Sequence, residues 1–209
     1  MFNMIGITIF SLVVLFFSIV IHEIAHGSVA LWLGDSTAKR EGRLTLNPLK
    51  HVDPFGTIIL PAILLLVTAG QGPIFGWAKP VPINPYNFKD QRWGSLKVAL
   101  AGPAVNFVIA IIFGLAIRFI PLPDSLFIPF SLITIYNFLW GLFNLVPVPP
   151  LDGSHILFAL LPRGAQAVKS FLSQYGLVLL LLVIFFGVDF LVSIASILYF
   201  FVTGGKPLY

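Results

Sequence analysis

MIGITIFSLVVLFFSIVIHEIAHGSVALWL, residues 4–33, decides how this chain is read. As a helix it extends about 45 Å at 1.5 Å per residue, enough to cross a hydrocarbon core about 30 Å thick with length to spare. Towards its far end lies His22-Glu23-Ile24-Ala25-His26. The chain has four histidines and two glutamates, and three of those six residues stand in this pentapeptide. Residues four apart share a helix face. His22 and His26 can therefore present two imidazoles to one metal ion, with Glu23 beside them to handle a proton. Two ordinary helical histidines around a solvated glutamate would suit a soluble surface helix. Inside an apolar run that reading is weak, because ionisable groups at membrane depth are costly and mark function by default.

Composition agrees with a membrane setting. Of 209 residues 58% are hydrophobic and 10% charged, and the mean hydropathy is +0.99. A soluble domain of this size could not hide that much apolar surface. The absence of cysteine excludes a disulfide framework and a thiolate metal site, so a metal must be held by imidazole and carboxylate. The net charge of +4 is small and dispersed, which fits cytoplasmic loop bias and argues against nucleic-acid binding. No Lys or Arg precedes Lys39. The first stretch lacks the basic start of a signal peptide and is expected to stay in the mature protein.

Outward from the first helix, Gly34-Asp35 reads as its stop, followed by Lys39, Arg40, Arg43 and Lys50. The positive-inside rule puts this exit in the cytoplasm and the N-terminus outside. A short strand is expected at residues 42–46, and an edge strand or an extended loop at 81–83. Residues 55–69 reach only about 22 Å as a helix and contain Pro61, which makes a re-entrant segment the alternative to a span. Spans follow at 96–120 and 126–146, then the irregular Pro147-Val148-Pro149-Pro150-Leu151-Asp152-Gly153. A short amphipathic piece at 154–161 precedes a last apolar block, 171–201, read as one tilted helix or as a hairpin broken at Gly187-Val188-Asp189. The expected architecture is an all-α polytopic membrane protein, a bundle of about four to six transmembrane helices with a re-entrant segment and short cytoplasmic-side strands. It forms one domain over 1–209, with its core at about 4–160 and an extra membrane segment or hairpin at 171–203.

Two histidines do not complete a catalytic zinc site, which ordinarily takes three protein ligands and a water. Asp35, Glu41, Asp90 and Asp124 lie in loops or turns and read as solvated charges; Asp53, Asp189, His51 and His155 remain candidates. Asp152 stands out. It follows an irregular segment at the end of a span, where freed backbone must face protein or water, and Gly153 allows close backbone approach.

His22-Glu23-Ile24-Ala25-His26 and Asn144-Leu145-Val146-Pro147-Val148-Pro149-Pro150-Leu151-Asp152-Gly153 together resemble the site-2 protease family of intramembrane metalloproteases. Residues 47–57, 76–82 and 101–106 resemble its compact prokaryotic branch, which has no PDZ or CBS domain. The resemblance covers about residues 18–160. It implies one Zn²⁺ per chain held by His22, His26 and Asp152, Glu23 as general base, and Asn144 near the reacting carbonyl or the substrate backbone. His51 and His155 are read as structural hydrogen-bonding residues or as supports behind a ligand. The implied partners are transmembrane protein substrates and the lipid bilayer, without nucleic acid. The alternative reading is a metal-binding membrane protein without catalysis, a sensor or transporter, which leaves Glu23 without a role. A prenyl-protein-type endopeptidase needs a downstream glutamate, and none follows Glu41.

The ligand set also constrains topology. Asp152 must reach the depth of His22 and His26, which requires loops 34–54 and 70–95 on one side and 55–69 as a re-entrant segment. The substrate helix must unwind locally, and residues 37–46 or 79–84 are expected to pair with it as an extended strand.

Overall fold

A computed structural model describes residues 4–68, 76–162 and 164–208. Its elements in chain order are α1 (Met4–Trp32), α2 (Thr37–Arg40), α3 (Pro54–Val67, opening with a π turn over Pro54–Ile59), α4 (Gln91–Phe119), α5 (Asp124–Asn144), α6 (Asp152–Leu160) and α7 (Gln166–Thr203). Among the described residues, α1, α4, α5 and α7 are long and apolar enough to cross a membrane. Large exposed side chains such as Ile9, Leu66, Ile112 and Phe186 give the bundle an apolar exterior, as a hydrocarbon solvent demands.

The centre of the bundle is the crossing of α1 and α4. Val14, Ser18, His22, His26 and Ala30 recur every four residues on α1 and are all buried, as are Val98, Gly102, Asn106, Ala110 and Gly114 on α4. Two four-residue ridges thus face each other, and small residues let the backbones approach. Helix α5 closes the other side of α4, and Phe138 on α5 packs with Ala110 on α4 and Ala195 on α7.

Helix α1 stops where the sequence suggests, with Gly34 at φ +108°, a conformation that favours glycine. Helix α4 starts five residues before its apolar run because Asp90 caps it, accepting from the N–H groups of Arg92 and Trp93, both at 3.1 Å. The final block is one helix. A π turn at Val183–Gly187 runs directly into the next α turn. Gly187 keeps right-handed helical angles (φ −103°, ψ −18°), so the chain does not reverse there.

The strand expected at 42–46 and the edge-strand alternative at 81–83 do not form among the described residues. Their backbone groups are taken by loop partners. Arg43 N–H donates to Ala38 O, closing α2, and Thr45 O accepts from His51 Nε2. Pro80 and Pro82 lack N–H groups, which leaves too few donors for a ladder.

Helix α3 amounts to about 21 Å of helix, with Pro61 just past the junction of its π turn and its α turns. Its two flanks are tied together: Trp77 N–H donates to Gly56 O at 3.1 Å, Thr57 Oγ1 to Trp77 O at 2.7 Å and Lys79 N–H to His51 O at 2.8 Å. The chain therefore returns at residue 77 to the point from which it left at residue 56. Residues 69–75 of the expected re-entrant segment and following loop, and the basic Arg163, lie outside the described residues.

Candidate metal centre

Two elements, α1 and the start of α6, bring three donor atoms together. His22 Nε2 lies 2.9 Å from Asp152 Oδ2, His26 Nε2 lies 3.2 Å from the same oxygen, and the two Nε2 atoms are 3.0 Å apart. Both histidines are buried, and the aspartate side chain is 18% exposed. Helix α6 begins at Asp152, which places that carboxylate in its first turn. A Cβ at Gly153 would collide with the carbonyls of Leu145 and Val146, so the close return of the chain into α6 requires glycine.

The protonation of both rings follows from their rear contacts. His22 Nδ1 is 2.6 Å from Asn106 Oδ1, and His26 Nδ1 is 2.6 Å from Val98 O. Both partners only accept, because the Asn106 amide nitrogen donates to Ser18 O and Asn137 Oδ1. Each Nδ1 therefore carries a proton, and in the neutral rings each Nε2 turns a lone pair inward. Two imidazole nitrogens and a carboxylate oxygen then converge as a donor set suited to a metal cation. A tetrahedral zinc ion with bonds of about 2.1 Å sets its ligand atoms about 3.4 Å apart. The edges of the triangle, 2.9, 3.0 and 3.2 Å, fall short of that by up to about half an ångström, so these residues fit the ion with a small outward shift.

Glu23 presents an oxygen within 4.8 Å of the histidine donors. That is beside the triangle, and the carboxylate is tied elsewhere: its Oε2 accepts from Val81 N–H at 2.8 Å. On α4, Gly102 faces both imidazoles, and a Cβ there would strike His22 Nε2 and His26 Nε2. Pro103, next in sequence, cannot donate to Ala99 O and distorts that turn, the same turn whose Val98 carbonyl reaches His26.

The remaining sequence candidates are placed as follows. Asn144 ends α5, buried, with its amide nitrogen donating to Trp140 O at 3.0 Å within its own helix. His51 is fully buried in the loop before α3 and bonds to Thr45 O at 2.8 Å. His155 is exposed on α6 and lines a separate basic cavity of about 460 Å³ with Arg92 and Lys169. Asp53 and Asp90 cap helices. Asp35 corrects the sequence reading of a solvated charge. It is 0% exposed and accepts from Thr37 N (3.1 Å), Thr37 Oγ1 (2.5 Å), Asn84 N (2.7 Å) and Asn87 Nδ2 (2.7 Å). Burial pushes its carboxyl pKa up, but these hydrogen bonds outweigh burial and hold it below the ordinary range.

Gly102, Val98, Asn106 and Val81 escaped the sequence reading as site residues. Asn106 entered there only as the last residue of the stretch 101–106 that carries the family resemblance. Its spacing of four from Gly102, in a span otherwise almost free of polar groups, is the signal that ties it to the centre.

Fold and centre together define a polytopic membrane protein built around a three-donor metal site with a carboxylate alongside. A family model described as peptidase family M50 matches residues 122–183. A protein of Bacillus subtilis named "Putative zinc metalloprotease YwhC" is 40% identical over 178 residues, 81% of this chain and 77% of that protein. "Putative zinc metalloprotease Rip2" of Mycolicibacterium smegmatis is 30% identical over 171 residues, covering 80% of this chain and 63% of its own. "Zinc metalloprotease MJ0392" of Methanocaldococcus jannaschii is 28% identical over 177 residues, 84% of this chain but 42% of its own. No solved structure matches. The chain belongs to peptidase family M50.

Proposed function

We propose that this M50 peptidase is an intramembrane zinc metalloprotease in which His22, His26 and Asp152 hold one zinc ion and Glu23 is the general base. Its substrates are peptide bonds in or next to the transmembrane segments of membrane proteins. The observation that carries the reading is the inward-facing triangle of His22 Nε2, His26 Nε2 and Asp152 Oδ2, with Glu23 one residue from a candidate ligand. Relatives named as zinc metalloproteases favour hydrolysis over the non-catalytic metal-binding alternative.

Zinc, when bound, supplies Lewis acidity: it polarises the scissile carbonyl and acidifies water towards neutral pH. Glu23 takes the proton of the attacking water on the oxygen not bonded to Val81 and passes it to the leaving amine. Asn106 and the Val98 carbonyl hold the two imidazoles in the tautomer that faces the ion. The amide of Asn144, at the lip of the irregular segment, orients the substrate backbone. An apolar cavity of about 470 Å³ between α1 and α3, lined by Leu12, Phe16, Ile19, Leu65 and Trp77, lies one turn along α1 from Glu23. It suits an unwinding apolar segment.

The loops that assemble the centre gather at one end of the bundle, with Lys39, Arg40, Arg43, Lys50, Lys79, Lys89 and Arg92. At the other end Arg118 Nη1 lies beside Phe201 O, and Lys206 Nζ donates to Ile117 O. This asymmetry supports a cytoplasmic active site, an external N-terminus and a re-entrant α3.

The test is paired: bound metal and cleavage of single-span peptides, for the wild type and Glu23→Gln. About one zinc in both proteins, with cleavage by the wild type alone, is the expected result. Zinc in both with equal cleavage would remove Glu23 as base, and absence of metal in both would remove the site.

A further inference from the structure

Lys79-Pro80-Val81-Pro82-Ile83-Asn84 passes in front of the catalytic end of α1 without regular structure. Prolines at 80 and 82 carry no N–H. Val81 therefore holds the single backbone donor of residues 80–82, and it spends that donor on Glu23 Oε2 at 2.8 Å. The stretch is fixed on both sides of this bond. Upstream, Arg43 Nη2 donates to Lys79 O at 2.6 Å and Pro80 O at 3.2 Å, while Lys79 N–H donates to His51 O. Downstream, Asn84 N–H donates to Asp35 Oδ2 at 2.7 Å. The Val81 side chain is buried against Gly27, where an added Cβ would stand 2.8 Å from its Cγ1.

Arg43 is the costly member of this arrangement. It is 5% exposed, its Nε has no hydrogen-bond partner, and among the described residues no carboxylate lies within 4 Å of it. Burying a guanidinium on carbonyls alone is expensive, and closing a loop does not require it. Its two bonds fall on the two carbonyls immediately before Val81, and those fix the plane and direction of the one N–H.

We infer that Arg43 is a positioning residue for Glu23. By holding the Lys79 and Pro80 carbonyls it aims the Val81 N–H at one carboxylate oxygen, and so keeps the other oxygen turned to the reacting water. This rests on the reading of Glu23 as the base. A glutamate has three side-chain torsions to order, and a base must lie within about 2.6–3.2 Å of the proton it takes. A displacement of about 1 Å costs on the order of 100-fold in rate.

Two measurements test it. In zinc-loaded protein cleaving a single-span peptide, Arg43→Gln keeps about one zinc and KM within about twofold, while kcat falls about 10- to 100-fold. Arg43→Lys recovers part of the loss, since an ammonium also carries N–H groups for these carbonyls but on a shorter, less rigid and more strongly hydrated side chain. Independently of turnover, the Val81 amide in [15N]valine-labelled protein exchanges slowly in the wild type and at least about 10-fold faster in Glu23→Ala and in Arg43→Gln. Fast exchange in the wild type, or exchange indifferent to Arg43→Gln, overturns the inference. So does an unchanged kcat in Arg43→Gln while Glu23→Gln is inactive, and that outcome leaves the base assignment standing. If the wild type binds zinc and cleaves nothing, the proposed function fails, and the exchange experiment still decides whether Arg43 sets the Val81–Glu23 bond. Should Arg43→Gln fail to fold, replacing the Val81 amide by an ester deletes the N–H with Arg43 in place. The same loss of kcat is then expected, and full kcat overturns the inference.

Discussion

The Nε2 atoms of His22 and His26 stand 3.0 Å apart, and each ring donates its Nδ1–H to an acceptor behind it, so in the neutral rings both Nε2 lone pairs face the same point. Asp152 brings a carboxylate oxygen to the same point. Such a cluster is self-repelling without a cation, so metal and fold are linked through binding to the native state. Wild-type protein is expected to carry about one zinc, and at free zinc about 1,000 times Kd to gain about 4 kcal/mol in stability over the stripped form. His22→Ala, His26→Ala and Asp152→Ala would each abolish both the zinc and the gain. Metal analysis and thermal unfolding with and without chelator check this; retention of zinc by Asp152→Ala would remove that ligand.

Gly102 sits where any side chain would enter the centre. A Cβ there meets both Nε2 atoms, and the rings cannot swing aside because their Nδ1 atoms are anchored to Asn106 and Val98. Alanine is the better helix former by about 1 kcal/mol, so Gly102→Ala should spare the helix and damage the site. Zinc affinity is expected to fall at least about 10-fold with the helical circular dichroism unchanged. Full zinc affinity would show that the imidazoles are not held as described.

Asn106 is fully buried and links four groups: His22, Ser18 O and, through Asn137, the Ile133 carbonyl. Removing such a partner of a metal-binding histidine costs about 10- to 100-fold in metal affinity or activity. Asn106→Ala is expected to lose zinc affinity in that range, whereas Asn144→Ala, whose amide donates only within its own helix, should keep zinc and raise KM. Competition with a calibrated chelator, alongside steady-state cleavage, separates the two.

Much of this was legible before the structure. The period-four placement of His22 and His26, the apolar runs and the irregular segment before Asp152 follow from local rules of helix geometry and proline chemistry. That is why α1, α4, α5 and the candidate ligands came out of the sequence. Asp35 did not. A carboxylate in a Gly-Asp turn looks solvated, and its burial depends on Asn84 and Asn87, some fifty residues away. Arg43 and Val81 were hidden for a related reason: Arg43 bonds backbone carbonyls of a distant loop and Val81 meets Glu23 through its own backbone N–H, and no side-chain pattern announces either. The strands read at 42–46 and 81–83 did not form because alternation signals an extended chain but not a partner to pair with.

Asp35 carries a pH signature. Its carboxyl is held below the ordinary range by bonds from Thr37, Asn84 and Asn87 that outweigh the opposing effect of burial. A depressed native pKa means the stabilisation is complete above the unfolded value of about 3.9 and is lost as pH falls through the lower native value. In metal-stripped protein, Asp35→Asn is expected to cost about 2–4 kcal/mol at pH 7. The gap to the wild type should narrow only below about pH 4. Thermal unfolding across pH 3 to 7 gives the comparison, and a gap independent of pH would assign the loss to packing alone.

The closing of α3 on itself has a consequence for the membrane. Trp77 bonds back to Gly56 and Thr57, and Lys79 to His51, so the chain enters and leaves this excursion at one place. A span would carry residue 77 about 30 Å from residue 56, and those bonds could not form. Had α3 crossed, α4 and α5 would also return Asp152 to the face opposite His22, contrary to their 2.9 Å approach. Cysteines placed at Thr68, and at Gln71 beyond the described residues, are therefore expected to stay unlabelled by an impermeant reagent applied outside intact cells. A cysteine at Leu49, exposed in the preceding loop, should label only in inverted vesicles. Labelling of position 68 or 71 exclusively from outside would put α3 across the bilayer and break the topology on which the metal centre depends.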